Sequence, residues 1–278
     1  MLRQFLNPPN WFTSASLFCA MYSIVLATGI GAEPDFYRAG LMIMFAGVFD
    51  TVDGGVARLT RTGSAFGVQL DSLVDVVSFC LAPGVLLHAW ATHSLGAAGL
   101  AAAFFFALCG VFRLARFNTK ADGSKESFSE GLTTTMGGGT VAVAVMAHAA
   151  SGRTDVEQPL FVVAFAILVA LLMVSTIPYR GFKSFRLSRR TILGIAVFIG
   201  AVLLTALKWN LATAFFAIGI TYIVSGPTEW LVRRVLGQPW EHGALRVAGP
   251  KGGASGAAGA AAAANDGDDD GDDDTDGE

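Results

Sequence analysis

Two short stretches decide the fold and the chemistry of this chain: residues 50–58, DTVDGGVAR, and residues 67–75, GVQLDSLVD. Each of them places two carboxylates in a long apolar segment. Ionisable side chains in segments of this kind are costly to bury in a membrane and usually mark a functional site. The two stretches therefore predict a membrane protein whose acidic residues act together.

The spacing of the four carboxylates predicts that they share one groove. Asp50 and Asp53 are three residues apart, and Asp71 and Asp75 are four apart, so each pair lies on one face of its helix. A short turn at 62–64 would join the two helices antiparallel. Four carboxylates at close quarters repel each other unless cations bind between them. Mg²⁺ or Mn²⁺ suits such a set of oxygen ligands best.

The residues between the acids indicate what the groove would bind. Gly54, Ala57 and Gly67 remove side-chain bulk, which lets a ligand or another backbone come close. Arg58 follows Asp53 by five residues and is placed to hold a phosphate. Together these features predict a diphosphate substrate, held at the cytoplasmic surface of a membrane.

Composition supports a membrane location. The chain has 278 residues, of which 53% are hydrophobic and 15% charged, whereas soluble domains carry about 25% charge. We expect an all-α, polytopic membrane helix bundle that contacts membrane lipids and has no nucleic-acid partner. A span needs about 20 apolar residues. Eight segments qualify as spans: 11–31, 37–58, 68–91, 95–116, 132–150, 158–178, 191–208 and 211–230.

The basic residues predict the orientation of the bundle. Of the 19 Lys and Arg, only Arg38, Arg153 and Lys208 fall on one side of the predicted bundle. The others fall on the side that holds both termini, and such an excess of basic residues marks the cytoplasmic side. We therefore expect an integral protein of the cytoplasmic membrane with its site facing the cytoplasm. Residues 1–248 would form the membrane domain. The Gly/Ala-rich and then Asp-rich segment 249–278 is predicted to be a disordered tail.

The pattern D-x2-D-G-x2-A-R-x8-G-x3-D-x3-D resembles that of the CDP-alcohol phosphatidyltransferase family, and this chain matches all of its fixed positions. The resemblance implies a membrane-helical homodimer with two divalent cations, Mg²⁺ or Mn²⁺. It also implies a role for each residue of the pattern. Asp50, Asp53 and Asp71 would be metal ligands, Asp75 the general base, and Gly54, Ala57, Arg58 and Gly67 the lining of the CDP pocket.

The flanking sequence looks like that of the phosphatidylserine synthase branch of the family. The resemblance covers PNWFT at 9–13, SAFG at 64–67, SFCLAP at 78–83 and RLARFN at 113–118, with Cys80 where the branch has Gly. It also weakens after Gly131 and Leu132, where no proline follows. The branch implies transfer of a phosphatidyl group from CDP-diacylglycerol to L-serine, giving phosphatidylserine and CMP. Ser78, Arg113 and Arg116 would then line the acceptor pocket.

Several alternatives stay open at this point. The same chemistry would serve glycerol 3-phosphate or an inositol phosphate as acceptor, or an ether lipid as donor. Arg113 and Arg116 also fit positive-inside anchoring, and Ser78 also fits helix packing. Outside the class, a cation transporter could use an acidic intramembrane site, although its carboxylates would lie near the midplane on broken helices. Strict dependence of CMP release on a CDP-lipid would separate the enzyme from the transporter.

Overall fold

The computed structural model of the chain describes residues 8–60, 64–120, 128–153, 156–180, 208 and 210–236. These residues fall within one compact unit, Met1–Trp240. Two predictions lie outside the described residues: the tail at 249–278 and, apart from Lys208, the span at 191–208.

The described residues are almost entirely helical, and the helices are numbered here in chain order. They are α1 (Pro8–Thr28), α2 (Phe36–Thr60), α3 (Ala65–Asp75), α4 (Ala82–Leu87), α5 (Ala97–Lys120), α6 (Thr134–Ala150), α7 (Pro159–Val174) and α8 (Leu211–Val235). Between α3 and α5 the chain stays helical through π-helical Val76–Leu81 and His88–Thr92 and 3₁₀-helical His93–Leu95. Thus α3, α4 and these segments form one long helical rod.

Five helices in the described part of the chain are long and apolar enough to cross a membrane: Pro9–Thr28, Phe36–Ala57, Phe66–Leu95, Ala97–Thr119 and Leu211–Val235. The shorter α7 is also apolar. The prediction of a polytopic helical membrane protein is therefore confirmed. Each predicted span except 191–208 corresponds to a helix, with ends displaced by a few residues.

Local sequence explains where the helices begin and end. Ser64 caps α3 by accepting a hydrogen bond from the Gly67 amide at 3.0 Å. Asn210 caps α8 in the same way, through the Thr213 amide at 2.8 Å. Such caps satisfy amides that the first turn of a helix leaves without a partner. After α1, Gly29 takes φ +67°, a left-handed conformation that glycine adopts at helix ends without strain.

One part of the chain departs from the all-helical prediction. Residues Phe128–Glu130 (β1) and Pro178–Arg180 (β2) pair as a two-stranded antiparallel ribbon, with Ser129 opposite Tyr179. The predicted helix 158–178 consequently ends at Val174. Three-residue strands are too short to leave an alternating pattern in the sequence, so hydropathy could not reveal them.

The helices pack closely because small residues line their contacts. The strongest pairings join α1 to α2, α2 to α6, α5 to α7 and α6 to α8, which leaves α6 in the interior. At Gly138 of α6, an added Cβ would lie 2.5 Å from the carbonyl oxygen of Phe79 and 3.0 Å from Pro83 Cγ. Small residues of this kind let membrane helices approach each other.

This packing predicts a contrast between two neighbouring glycines. Gly138→Ala should lower the melting temperature of the purified protein in detergent by several degrees. The reason is that overpacking against backbone costs about 1–3 kcal/mol, or roughly 2–4 °C per kcal/mol for a chain of this size. Gly139→Ala is the control, because a Cβ there meets nothing within 4 Å. Equal melting temperatures for the two variants would contradict this account of the α6 contact.

Candidate active site

Three of the four predicted carboxylates converge. One oxygen from each of Asp50, Asp53 and Asp71 can be chosen so that all three atoms lie within 4.8 Å of one another. Asp53 is the most buried of the three, with 5% of its surface exposed. Oxygen ligands this close suit a hard divalent cation, which would also relieve the repulsion between the carboxylates. The geometry therefore fits a metal site at these residues.

Asp75 lies beside this cluster without belonging to it. Its carboxyl group is within hydrogen-bonding reach of Asp50 and interacts electrostatically with Asp71 and Asp53. It is also the last residue of α3, where the π-helical segment Val76–Leu81 begins. π-helical turns inside α-helices occur frequently at functional sites. Asp75 therefore contacts Asp50 but is not one of the three acids whose oxygens converge.

Thr13 of α1 orients one of the acids. Its Oγ1 donates a hydrogen bond of 2.7 Å to Asp53 Oδ2, and both side chains are buried. Hydrogen bonds to metal-binding carboxylates typically fix their orientation. Thr13 belongs to the PNWFT stretch at 9–13, but the sequence alone indicates no role for it. Its signal was weak, because a threonine near the start of an apolar helix is common.

A cavity of about 190 Å³ opens beside the carboxylates. Its lining comprises Pro9, Asn10, Thr13, Asp53, Gly54, Ala57, Ser64, Gly67, Val68 and Asp71. A Cβ at Gly54 would meet nothing within 4 Å, so a side chain there would occupy open space. Three of the predicted CDP-pocket residues, Gly54, Ala57 and Gly67, therefore lie together with two of the acids. The side chain of Arg58, the fourth, is outside what the structure describes.

Arg113 of α5 is a buried cation within electrostatic range of Asp75. Only 8% of its surface is exposed, and its guanidinium interacts electrostatically with Asp75. The same group lies 5.4 Å from the ring centroid of Phe117. A buried cation beside Asp75 could bind an anionic group of a substrate that reaches that carboxylate.

Arg116, three residues later, has a different environment. Its guanidinium donates hydrogen bonds to four backbone carbonyl oxygens, those of Val174 (2.7 Å), Ser175 (3.0 Å), Glu130 (3.2 Å) and Met173 (3.3 Å). Three of these carbonyls lie at the C-terminal end of α7, where helical carbonyls lack partners. This arrangement ties α5 to α7 and to the end of β1.

Ser78 is fully buried between helices. Its Oγ lies 3.3 Å from Ser16 Oγ, and Ser16 donates to the Ala46 carbonyl at 3.1 Å. The structure thus brings Arg113 near Asp75, while Ser78 and Arg116 have interhelical contacts. An acceptor-binding role for Ser78, Arg113 or Arg116 stays a prediction.

A second, larger cavity of about 410 Å³ lies between α2, α6 and α8. Apolar side chains dominate its lining, which includes Ile43, Val48, Phe79 and Phe215. It reaches Thr51, the neighbour of Asp50 in the chain. An apolar groove of this kind is suited to hydrocarbon.

Comparison with known proteins agrees with the geometry. The family model described as CDP-alcohol phosphatidyltransferase matches residues 6–177. A CDP-diacylglycerol–serine O-phosphatidyltransferase of Helicobacter pylori is 32% identical over 227 residues, which cover 80% of this chain and 90% of the relative. An archaetidylserine synthase of Methanothermobacter thermautotrophicus is 30% identical over 182 residues, 64% of this chain and 71% of that protein. A Methanocaldococcus jannaschii protein with the same name as the Helicobacter relative is 49% identical over 76 residues, 27% of this chain and 36% of its own length.

The Thr13–Asp53 hydrogen bond predicts an effect on metal binding. Thr13→Val should weaken Mn²⁺ binding to the purified protein by about 10–100-fold, the range expected when a metal-binding carboxylate loses its orienting partner. Electron paramagnetic resonance of free Mn²⁺ during a titration would measure it. Thr13→Ser keeps the hydroxyl and should bind Mn²⁺ nearly as well as the wild type. Equal affinity for the valine and serine variants would show that Thr13 does not orient a ligand.

Proposed function

The chain belongs to the CDP-alcohol phosphatidyltransferase family, and from this we propose that it transfers a phosphatidyl group from CDP-diacylglycerol to the hydroxyl of L-serine. The products are phosphatidylserine and CMP. The Helicobacter relative is named for this reaction, and the match covers most of both chains. The archaetidylserine synthase is named for a serine lipid as well. The relatives thus favour serine over glycerol 3-phosphate or an inositol phosphate.

The observation that carries the proposal is the convergence of Asp50, Asp53 and Asp71, with Asp75 beside them. We assign the first three as ligands of Mg²⁺ or Mn²⁺, with two ions as the family pattern implies. Bound there, the ions would neutralise the diphosphate of the donor and stabilise charge on the leaving CMP. The cavity lined by Gly54, Ala57 and Gly67 is the place for the CDP moiety, and Arg58 would hold one of its phosphates.

Asp75 is the proposed general base. It would accept the proton of the serine hydroxyl as the oxygen attacks the phosphorus that bears the diacylglycerol. The bond between that phosphorus and the oxygen shared with CMP then breaks, and CMP leaves. Direct attack is favoured because the fixed positions of the motif include no Ser, Cys or His. Ser72, between Asp71 and Asp75, accepts a hydrogen bond from the Asn118 side chain at 3.0 Å.

Arg113 is the acceptor residue that the geometry supports best. It is buried and interacts with Asp75, so a serine carboxylate bound to it would keep the serine hydroxyl near the base. Ser78 and Arg116 remain predicted acceptor residues. Their contacts within the bundle favour structural roles for both.

The apolar groove between α2, α6 and α8 supports a place for one donor hydrocarbon chain. With the acidic site at the cytoplasmic ends of α2 and α3, the headgroup would react at the membrane surface while the tails stay in the lipid. About eight spans, cytoplasmic termini and a homodimer complete the proposed arrangement. Residues 1–248 would be its membrane domain.

The reaction is tested by CMP release from purified protein with CDP-diacylglycerol and Mn²⁺ or Mg²⁺. L-serine should support release, whereas glycerol 3-phosphate and inositol phosphate should not. Asp75→Asn should lower kcat by about 10²–10⁴-fold, the usual contribution of a general base. CMP release with another acceptor would agree with the family assignment but would contradict serine as the acceptor. No CDP-lipid-dependent release from folded protein would favour a cation transporter instead.

A further inference from the structure

The last described helix, α8, packs against α6 and β2 through two glycines. Gly219 packs on Thr140 of α6, where an added Cβ would lie 2.6 Å from Thr140 Oγ1. Gly226 packs on Tyr179 of β2, and an added Cβ there would overlap the phenol ring. The two glycines are seven residues apart, so they lie on one face of the helix. Residues between them on that face are held in a defined position.

Tyr179 completes this attachment. Only 1% of its surface is exposed, and its hydroxyl donates a 3.0 Å hydrogen bond to the Ile223 carbonyl of α8. Burial, and then the neighbouring Tyr222, raises the pKa of Tyr179 to about 12, so its phenol stays protonated at neutral pH. Its ribbon is in turn held by the hydrogen bond from the Gly131 amide to the Ile177 carbonyl, at 2.9 Å. The role of Tyr179 is therefore structural.

Tyr222 lies on the same face of α8, three residues after Gly219 and four before Gly226. Its ring centroid is 5.5 Å from that of Tyr179, and it is only partly buried. Its phenol also interacts electrostatically with Arg113. Arg113 thus interacts electrostatically with both the carboxylate of Asp75 and the phenol of Tyr222.

We propose that Tyr222 determines acceptor specificity by binding, together with Arg113, the carboxylate of the amino acid whose hydroxyl faces Asp75. This inference rests on the proposed function. Serine carries its hydroxyl on Cβ and its carboxylate on Cα, so a base and a cationic site placed side by side meet both groups at once. A phenol donates one hydrogen bond to a carboxylate, while the guanidinium supplies charge and further donors.

The test is the kinetics of CMP release by full-length Tyr222→Phe, which removes only the hydroxyl. The KM for L-serine should rise about tenfold, the size expected for loss of one hydrogen bond to a charged group. The KM for CDP-diacylglycerol and kcat should stay within about twofold. Tyr37→Phe is the matched control: Tyr37 is exposed near the start of α2, so loss of its hydroxyl should leave the KM for serine unchanged.

A second substrate, L-serine methyl ester, tests whether the Tyr222 hydroxyl binds the carboxylate of the acceptor. L-Serine methyl ester lacks the carboxylate charge, so the wild type should use it with a higher KM than serine. Tyr222→Phe should raise the KM for the ester less than the KM for serine, because a neutral ester carbonyl accepts a weaker hydrogen bond than a carboxylate does. An equal rise for serine and ester, or a rise in the KM for CDP-diacylglycerol, would overturn the assignment.

The two levels of the proposal fail in different ways. An active wild type whose KM for serine is unchanged by Tyr222→Phe, in protein of wild-type melting temperature, overturns the role of Tyr222 alone. A wild type that releases no CMP with serine overturns the proposed function and the role of Tyr222 with it.

Discussion

Mutual repulsion among four carboxyl groups at the ends of two membrane-length helices is the constraint on which the rest of this structure depends. Asp50, Asp53 and Asp71 approach each other within 4.8 Å, and Asp75 lies within hydrogen-bonding reach of Asp50. Such an arrangement is unfavourable in an apolar setting unless cations or protons offset the charge. The surrounding helices must therefore hold the acids in place. Thr13 contributes to this by donating a hydrogen bond to Asp53 from a third helix, at 2.7 Å.

Close packing supplies that rigidity. Gly138 lets α6 approach the π-helical segment that follows Asp75, because its missing Cβ leaves room for the Phe79 carbonyl. The π turn itself shifts the register of the rod directly after the proposed base. Where lipid surrounds a bundle, helix association relies on such van der Waals contacts and on interhelical hydrogen bonds. The small residues near the acids do not serve helix packing in this way. The space beside Gly54 is open and forms part of a cavity.

The second half of the chain joins the site through backbone contacts. Arg116 binds four carbonyl oxygens at the end of α7 and beside β1. The adjacent Gly131 has φ +75°, and a Cβ there would lie 2.5 Å from the Met173 carbonyl oxygen. Only glycine adopts this backbone conformation in this space without strain. These contacts of Arg116 and Gly131 position β2, and Tyr179 of β2 holds α8. Tyr222 of α8 is thereby placed where it interacts electrostatically with Arg113. Of the two arginines in the RLARFN stretch, Arg113 thus interacts electrostatically with Asp75, and Arg116 binds backbone carbonyls that join α5 to α7.

The sequence by itself determined the membrane-helical class, the pairing of the acids on α2 and α3 and the small residues around them. These are properties of spacing and hydropathy, and they act within one helix or between neighbouring helices. The sequence did not predict the role of Thr13, the two-stranded ribbon or the placement of Tyr222. Arg113 and Arg116 also looked alike, because both end the same apolar segment. Only the tertiary structure distinguished them, since a guanidinium acquires its role from the carboxylate or carbonyl oxygens that distant segments bring to it.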